Sequence, residues 1–108
     1  MPISLRRIGA KKGTVTGSSN ASTLNTAYGV VTTESVTTAA GATFTETITN
    51  NDVAATDVCI ASVTTGGTGT PAVTKVTPAA GSLVIIVQNI HAATAFNNTL
   101  KIAFACFK

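Results

Sequence analysis

From Ala42 to Thr49 the chain alternates without interruption: Ala42, Phe44, Glu46 and Ile48 fall on one side, and Thr43, Thr45, Thr47 and Thr49 on the other. A period of two sends successive side chains to opposite faces of an extended strand. This segment is therefore expected to be a strand with one packing face and one hydroxylated face. A packing face on a sheet must be covered by a second layer, so this one pattern already demands a layered β fold. The same period returns at Leu100, Ile102, Phe104 and Cys106, set against Lys101, Ala103, Ala105 and Phe107.

Other segments agree with that frame. Tyr28 to Thr37 is rich in β-branched residues and ends in the turn Ala39-Ala40-Gly41. Asn50-Asn51-Asp52 supplies a turn from residues that tolerate left-handed backbone. Val58-Cys59-Ile60-Ala61-Ser62-Val63 is apolar on both sides, which predicts a central strand. Gly66 to Pro71 predicts an exposed loop, because glycine loses much backbone entropy on ordering and proline lacks a ladder donor. Ala72 to Val76 reads as a short strand ended near Pro78, and Ser82 to Ile90 is the most apolar strand and should be core. Good helix formers are scarce, and Thr and Ala together supply about a third of the chain. The expected fold is all-β, an antiparallel β-sandwich or jelly-roll-like single domain spanning 13–108, preceded by an extended basic arm at 1–12.

Charge separates those two parts. Arg6, Arg7, Lys11 and Lys12 fall within the first dozen positions, whereas every acid lies at Glu34 or later. Only 10% of the residues are charged, so the body presents hydroxyls more than ions. The basic run lacks aromatic stacking platforms and any nucleic-acid-binding pattern. It is better suited to an acidic protein surface, with nucleic acid not the expected partner. The start of the chain has no apolar stretch of the secretory type, and Leu83 to Val87 is too short to span a bilayer, so no membrane partner is expected.

The residues offer little for catalysis. His91 is the only histidine, and a nucleophile needs an adjacent base with an orienting group. Gly66-Gly67-Thr68-Gly69 lacks the ending of a phosphate-binding loop. Glu46 shares a face with Phe44 and Ile48; a rim position at a strand end is the expected explanation, and a perturbed carboxylate or a partner for a basic residue across an interface is the functional one. Cys59 and Cys106 each sit in an apolar run and are expected to be buried free thiols. A cross-strand disulfide would need Cα atoms within about 7 Å, which spacing alone does not establish. No enzyme, cofactor, metal or small-molecule substrate is expected.

Two longer stretches, Tyr28 to Phe44 and Gly69-Thr70-Pro71-Ala72-Val73-Thr74-Lys75-Val76-Thr77-Pro78-Ala79-Ala80-Gly81 running on to Ala92, resemble small virion proteins of tailed bacteriophages, the likeness covering roughly residues 24 to 107. That group is similar to capsid cement, or decoration, proteins. The resemblance implies a structural protein with a β-sandwich or jelly-roll body on the outer shell of the virion, made in the host bacterial cytoplasm. The implied partners are the major capsid protein and the chain itself, as a homotrimer in preference to a homodimer. Arg6, Arg7, Lys11 and Lys12 are the expected capsid contacts, since arginine forks and lysine ammonium groups both suit shell carboxylates. A tail or head-fibre receptor-binding domain, with contacts in the Gly66 to Pro71 loop, is the alternative.

Overall fold

The computed structural model describes residues 12–65 and 67–108. Arg6, Arg7 and Lys11 of the basic arm lie outside the described residues, while Lys12 opens the first strand. Ten strands account for the architecture, and no helix forms among the described residues: β1 Lys12–Thr16, β2 Ala21–Thr23, β3 Tyr28–Thr32, β4 Val36–Thr38, β5 Thr43–Thr49, β6 Val58–Thr64, β7 Pro71–Ala79, β8 Ser82–Asn89, β9 Phe96–Asn98 and β10 Lys101–Phe107. They form a first sheet ordered β1-β3-β10-β6, a second ordered β2-β5-β8-β7, and a small β4-β9 pair.

Most neighbours run antiparallel, but β1 joins β3 and β2 joins β5 in parallel, so both large sheets are mixed rather than wholly antiparallel. The reason lies in the connections. The Ser18–Asn20 turn carries the chain from the edge of the first sheet to the edge of the second, with Ser18 and Ala21 exchanging main-chain hydrogen bonds of 2.9 and 3.0 Å. Ser19 and Asn20 have φ of 52° and 63°, left-handed values that a short polar side chain tolerates better than a branched one. At the opposite side, residues 65–70 link β6 to β7, again the edges of the two sheets. These strands pack side by side without a ladder between them.

The sequence period decides what is buried. Phe44, Glu46 and Ile48 point inward from β5 while Thr43, Thr45 and Thr49 are exposed; on β8 it is Leu83, Ile85, Val87 and Asn89 that are buried. Val31, Ile102, Phe104 and Cys106 of the first sheet meet them in a single core, completed by Val53, Phe96 and Leu100 from outside the two large sheets. Each large apolar side chain taken fully out of water contributes on the order of 1.5–3 kcal/mol. Gly69 fixes the β6–β7 link: its φ is 79°, and a Cβ there would stand 2.6 Å from the Phe96 main-chain nitrogen. Any side chain would therefore push this link off the core phenylalanine.

Several expectations need correction. β6 is an edge strand, not a central one: it ends the first sheet, paired only with β10, and its outward residues are exposed. β7 does not stop before Pro78 but runs through it to Ala79. A proline is tolerated there since β7 is an edge, where a missing donor leaves no neighbour unpaired.

Candidate interaction surface and the buried acidic cluster

Alternation on β6 and β10 builds an unusual outer face on the first sheet. Val58 faces Phe107 across the ladder and Ile60 faces Ala105. Val58, Ile60 and Phe107 expose 67%, 60% and 37% of their surface. Beside these protruding side chains, Ile60, Ala61, Ser62, Ala103, Phe104 and Ala105 line an open depression of about 240 Å3. Small residues at 62, 103 and 105 create the hollow, and larger ones at 58, 60 and 107 stand up at one end of it. Tyr28 and Val30 of β3, opposite Ala105 and Ala103, extend the same face. Exposed apolar groups gathered in this way make the face a candidate interaction surface, unlike isolated ones.

The inner side of the same strands carries a covalent tie. Cys59 and Cys106 are register partners, 4.1 Å apart at Cα, and form a disulfide closing a 47-residue separation. The free-thiol expectation is thereby overturned: two apolar runs that looked unrelated in sequence are adjacent strands. Nearby, Lys108 Nζ lies 2.9 Å from Asp57 Oδ2 and also donates to the Asp52 carbonyl. The Ala54 main-chain N–H, donating to Asp57 Oδ2 at 3.0 Å, and then Lys108 hold the Asp57 carboxyl below its ordinary range.

A second site lies inside. Glu46 is at the middle of β5, fully buried, and not on a rim as expected. Alternation turns its side chain inward with Phe44 and Ile48, while Thr45 beside it faces out. Neither carboxylate oxygen has a hydrogen-bond partner. Burial raises its pKa to about 7; the nearby Ser22 hydroxyl opposes the shift and the Glu34 charge adds to it. Glu34 is itself held from one side, its Oε2 accepting the Asn20 main-chain N–H at 2.8 Å, while its Oε1 is buried and unpartnered. Ser22 Oγ is likewise buried and unpartnered. Sequence alternation placed Glu46 on the packing face, but nothing in the order of residues announced that Ser22 and Glu34 would join it.

His91 does no comparable chemistry. Its Nδ1 accepts the main-chain N–H groups of Ala93 at 3.0 Å and Thr94 at 2.9 Å, which shapes the turn after β8. No group of three or more His, Cys, Asp or Glu side chains gathers among the described residues. No helix among them is long and apolar enough to cross a membrane. Comparison with protein-family models, with curated proteins and with solved structures returned no match.

Proposed function

We propose that the chain is a capsid cement protein of a tailed bacteriophage, a β-sandwich or jelly-roll body that binds the outer surface of the major capsid shell and stabilises it across subunit seams. The observation that carries this reading is the apolar outer surface formed by Val58, Ile60, Ala103, Ala105 and Phe107, with Lys101 at its far end. It offers apolar anchors next to a hollow, the combination that dominates the energetics of protein–protein contacts. The family resemblance of the sequence supplies the kind of partner, and the polar exposed faces of β5 leave that contact face as the distinctive one.

The basic residues Arg6, Arg7, Lys11 and Lys12 add charge complementarity to an acidic shell, steering encounter more than setting affinity. Association of copies into a homotrimer, or a homodimer, multiplies a modest contact on each. A ligand that prefers the assembled shell stabilises it by mass action. The Cys59–Cys106 disulfide suits a protein synthesised in the bacterial cytoplasm that does its work outside it, on a virion surface where such bonds persist. No catalytic step and no cofactor enter this role.

Co-sedimentation with shells purified without the protein tests the reading. The Val58→Lys, Ile60→Lys double variant should lose binding roughly tenfold or more, the scale of one lost anchor. Reversing Arg6 and Arg7 to Glu should slow association and weaken its salt dependence. Undiminished binding by the double variant would remove the apolar face from the contact. Failure of the wild type to bind shells at all would remove the cement role.

A further inference from the structure

Val58, Ile60 and Phe107, the protruding side chains of the outer face, stand on two strands that one covalent bond joins directly beneath them. Cys59 lies between Val58 and Ile60, Cys106 lies between Ala105 and Phe107, and the two sulfurs are bonded across the ladder. Cys106 donates its main-chain N–H to the Ala27 carbonyl, on the β3 side, at 2.8 Å. In an antiparallel pair the N–H and C=O of one residue point the same way, so Cys59 and Cys106 face each other without a main-chain hydrogen bond between them. At that step of the register the sulfur bridge is what joins β6 to β10. The pairs on either side, Val58 with Phe107 and Ile60 with Ala105, carry the ladder.

β6 has little else to hold it. It pairs only with β10, and none of its side chains is fully buried. Its inward residues Cys59, Ala61 and Val63 are small and half-buried, whereas Ile102, Phe104 and Cys106 of β10 belong to the core. A strand with few buried apolar contacts opens at a lower free energy than the core it borders. Asp57, immediately before β6, pairs with Lys108, immediately after β10, but the lysine side chain is exposed and salt weakens such a pair. The two sulfurs also differ in shielding. Cys106 is buried and Cys59 is only half-buried at the sheet edge, so an incoming thiolate reaches Cys59.

We propose that the Cys59–Cys106 bond is a redox latch on the outer face. Oxidised, it holds the β6 edge against β10 and keeps Val58, Ile60 and Phe107 in one surface; reduced, it releases that edge and weakens the grip of the face on its partner. A small thiol opens it by two exchanges. Its thiolate attacks Cys59 Sγ, and Cys106 Sγ leaves and takes up a proton; a second thiol then displaces Cys59 from the mixed disulfide. The products are two protein thiols and one small-molecule disulfide. The identity of the partner rests on the shell-binding reading above. On that reading the chain has a loose edge in the thiol-rich compartment where it is made, and the edge locks on reaching an oxidising one.

The test is amide hydrogen exchange on the full chain, oxidised and after treatment with excess dithiol, together with co-sedimentation of both forms with shells. On reduction the Ile60 and Ser62 amides, which face β10, should exchange roughly tenfold faster or more. Amides of β3, on the other side of β10, and of β8 should change several-fold less, and added salt should widen the gap. Reduction should weaken shell binding about tenfold, and reoxidation should restore it. The Cys59→Ser, Cys106→Ser double variant should bind like the reduced protein and ignore the dithiol. Equal acceleration in β3, β6 and β8 overturns the latch, because the bond would then stabilise the fold as a whole, and so does a reduced chain that unfolds altogether. Oxidised protein that binds shells no better than reduced protein overturns it as well. If neither form binds shells, the shell reading falls and the exchange measurement alone decides the latch.

Discussion

Asn89 and Glu46 are both fully buried on the second sheet, one at the end of β8 and the other at the middle of β5, and their surroundings treat them in opposite ways. The Asn89 amide nitrogen donates to the carbonyls of Thr38 at 3.0 Å and Thr94 at 2.9 Å. Its oxygen accepts from the main-chain nitrogens of Thr70 and His91, each at 3.1 Å. Every hydrogen-bonding position of the side chain is used, and two loops and the end of β4 are held to one point. Glu46 makes no hydrogen bond. A satisfied buried group fixes geometry, whereas an unsatisfied carboxylate makes the fold sensitive to protonation.

The cross-strand disulfide supplies a yardstick independent of both residues. Replacing Cys59 and Cys106 together by Ser should cost about 4 kcal/mol by the loop-closure relation for this separation, read as a lower denaturation midpoint. Asn89→Ala comes next, at about 3 kcal/mol, because it orphans buried main-chain groups on several loops at once. A loss below about 1 kcal/mol would mean that water replaces the amide and that the contrast with Glu46 is false.

Glu46 should respond in the other direction. Its folded pKa of about 7 lies above the ordinary 4.5, so the folded chain holds a proton that the unfolded chain releases. That contribution is complete below about pH 4.5, declines as pH rises, and is gone above about 7. Stability should therefore fall by at most about 3 kcal/mol between these limits. Glu46→Gln should flatten the decline and leave the variant the more stable one at pH 8. Asp57 has the opposite sign: its lowered pKa gives stability that is lost as pH falls through the acid range, so wild type should be most stable between the two. Denaturant melts of both proteins across pH check this, and a wild-type curve that stays flat from pH 5 to 8 would show Glu46 to be better solvated than its burial implies. The smallest effect is expected at Ile60→Lys, within about 0.5 kcal/mol, because its side chain is exposed; a larger loss would mean that the outer face supports the fold itself.

How much of this was legible in the sequence follows from the same physics. Strands β5, β8 and β10 were readable because each has one buried and one open side, and alternation records that directly. β6 misled for a definite reason. Apolar residues on both sides of a strand signal either two covered faces or one covered face and one kept open for a partner, and composition does not distinguish them. The Cys59–Cys106 bond required knowing that β6 pairs with β10 in a particular register. Pro78 suggested a stop that an edge strand does not need. The buried position of Glu46 was visible, since the period put it inward, while Ser22 reached it through a turn whose path depends on two left-handed residues and Glu34 came from the segment after β3.

The two chain crossings between the sheets have a consequence for crowding. β1 leads into β2 at one flank and β6 packs beside β7 at the other, so the unpaired edge of each large sheet has the edge of the other sheet beside it. Strand-by-strand growth into fibrils, the ordinary hazard of threonine- and valine-rich β proteins held at high local density, has few places to begin. Copies of such a molecule can stand close together and still touch only through side chains.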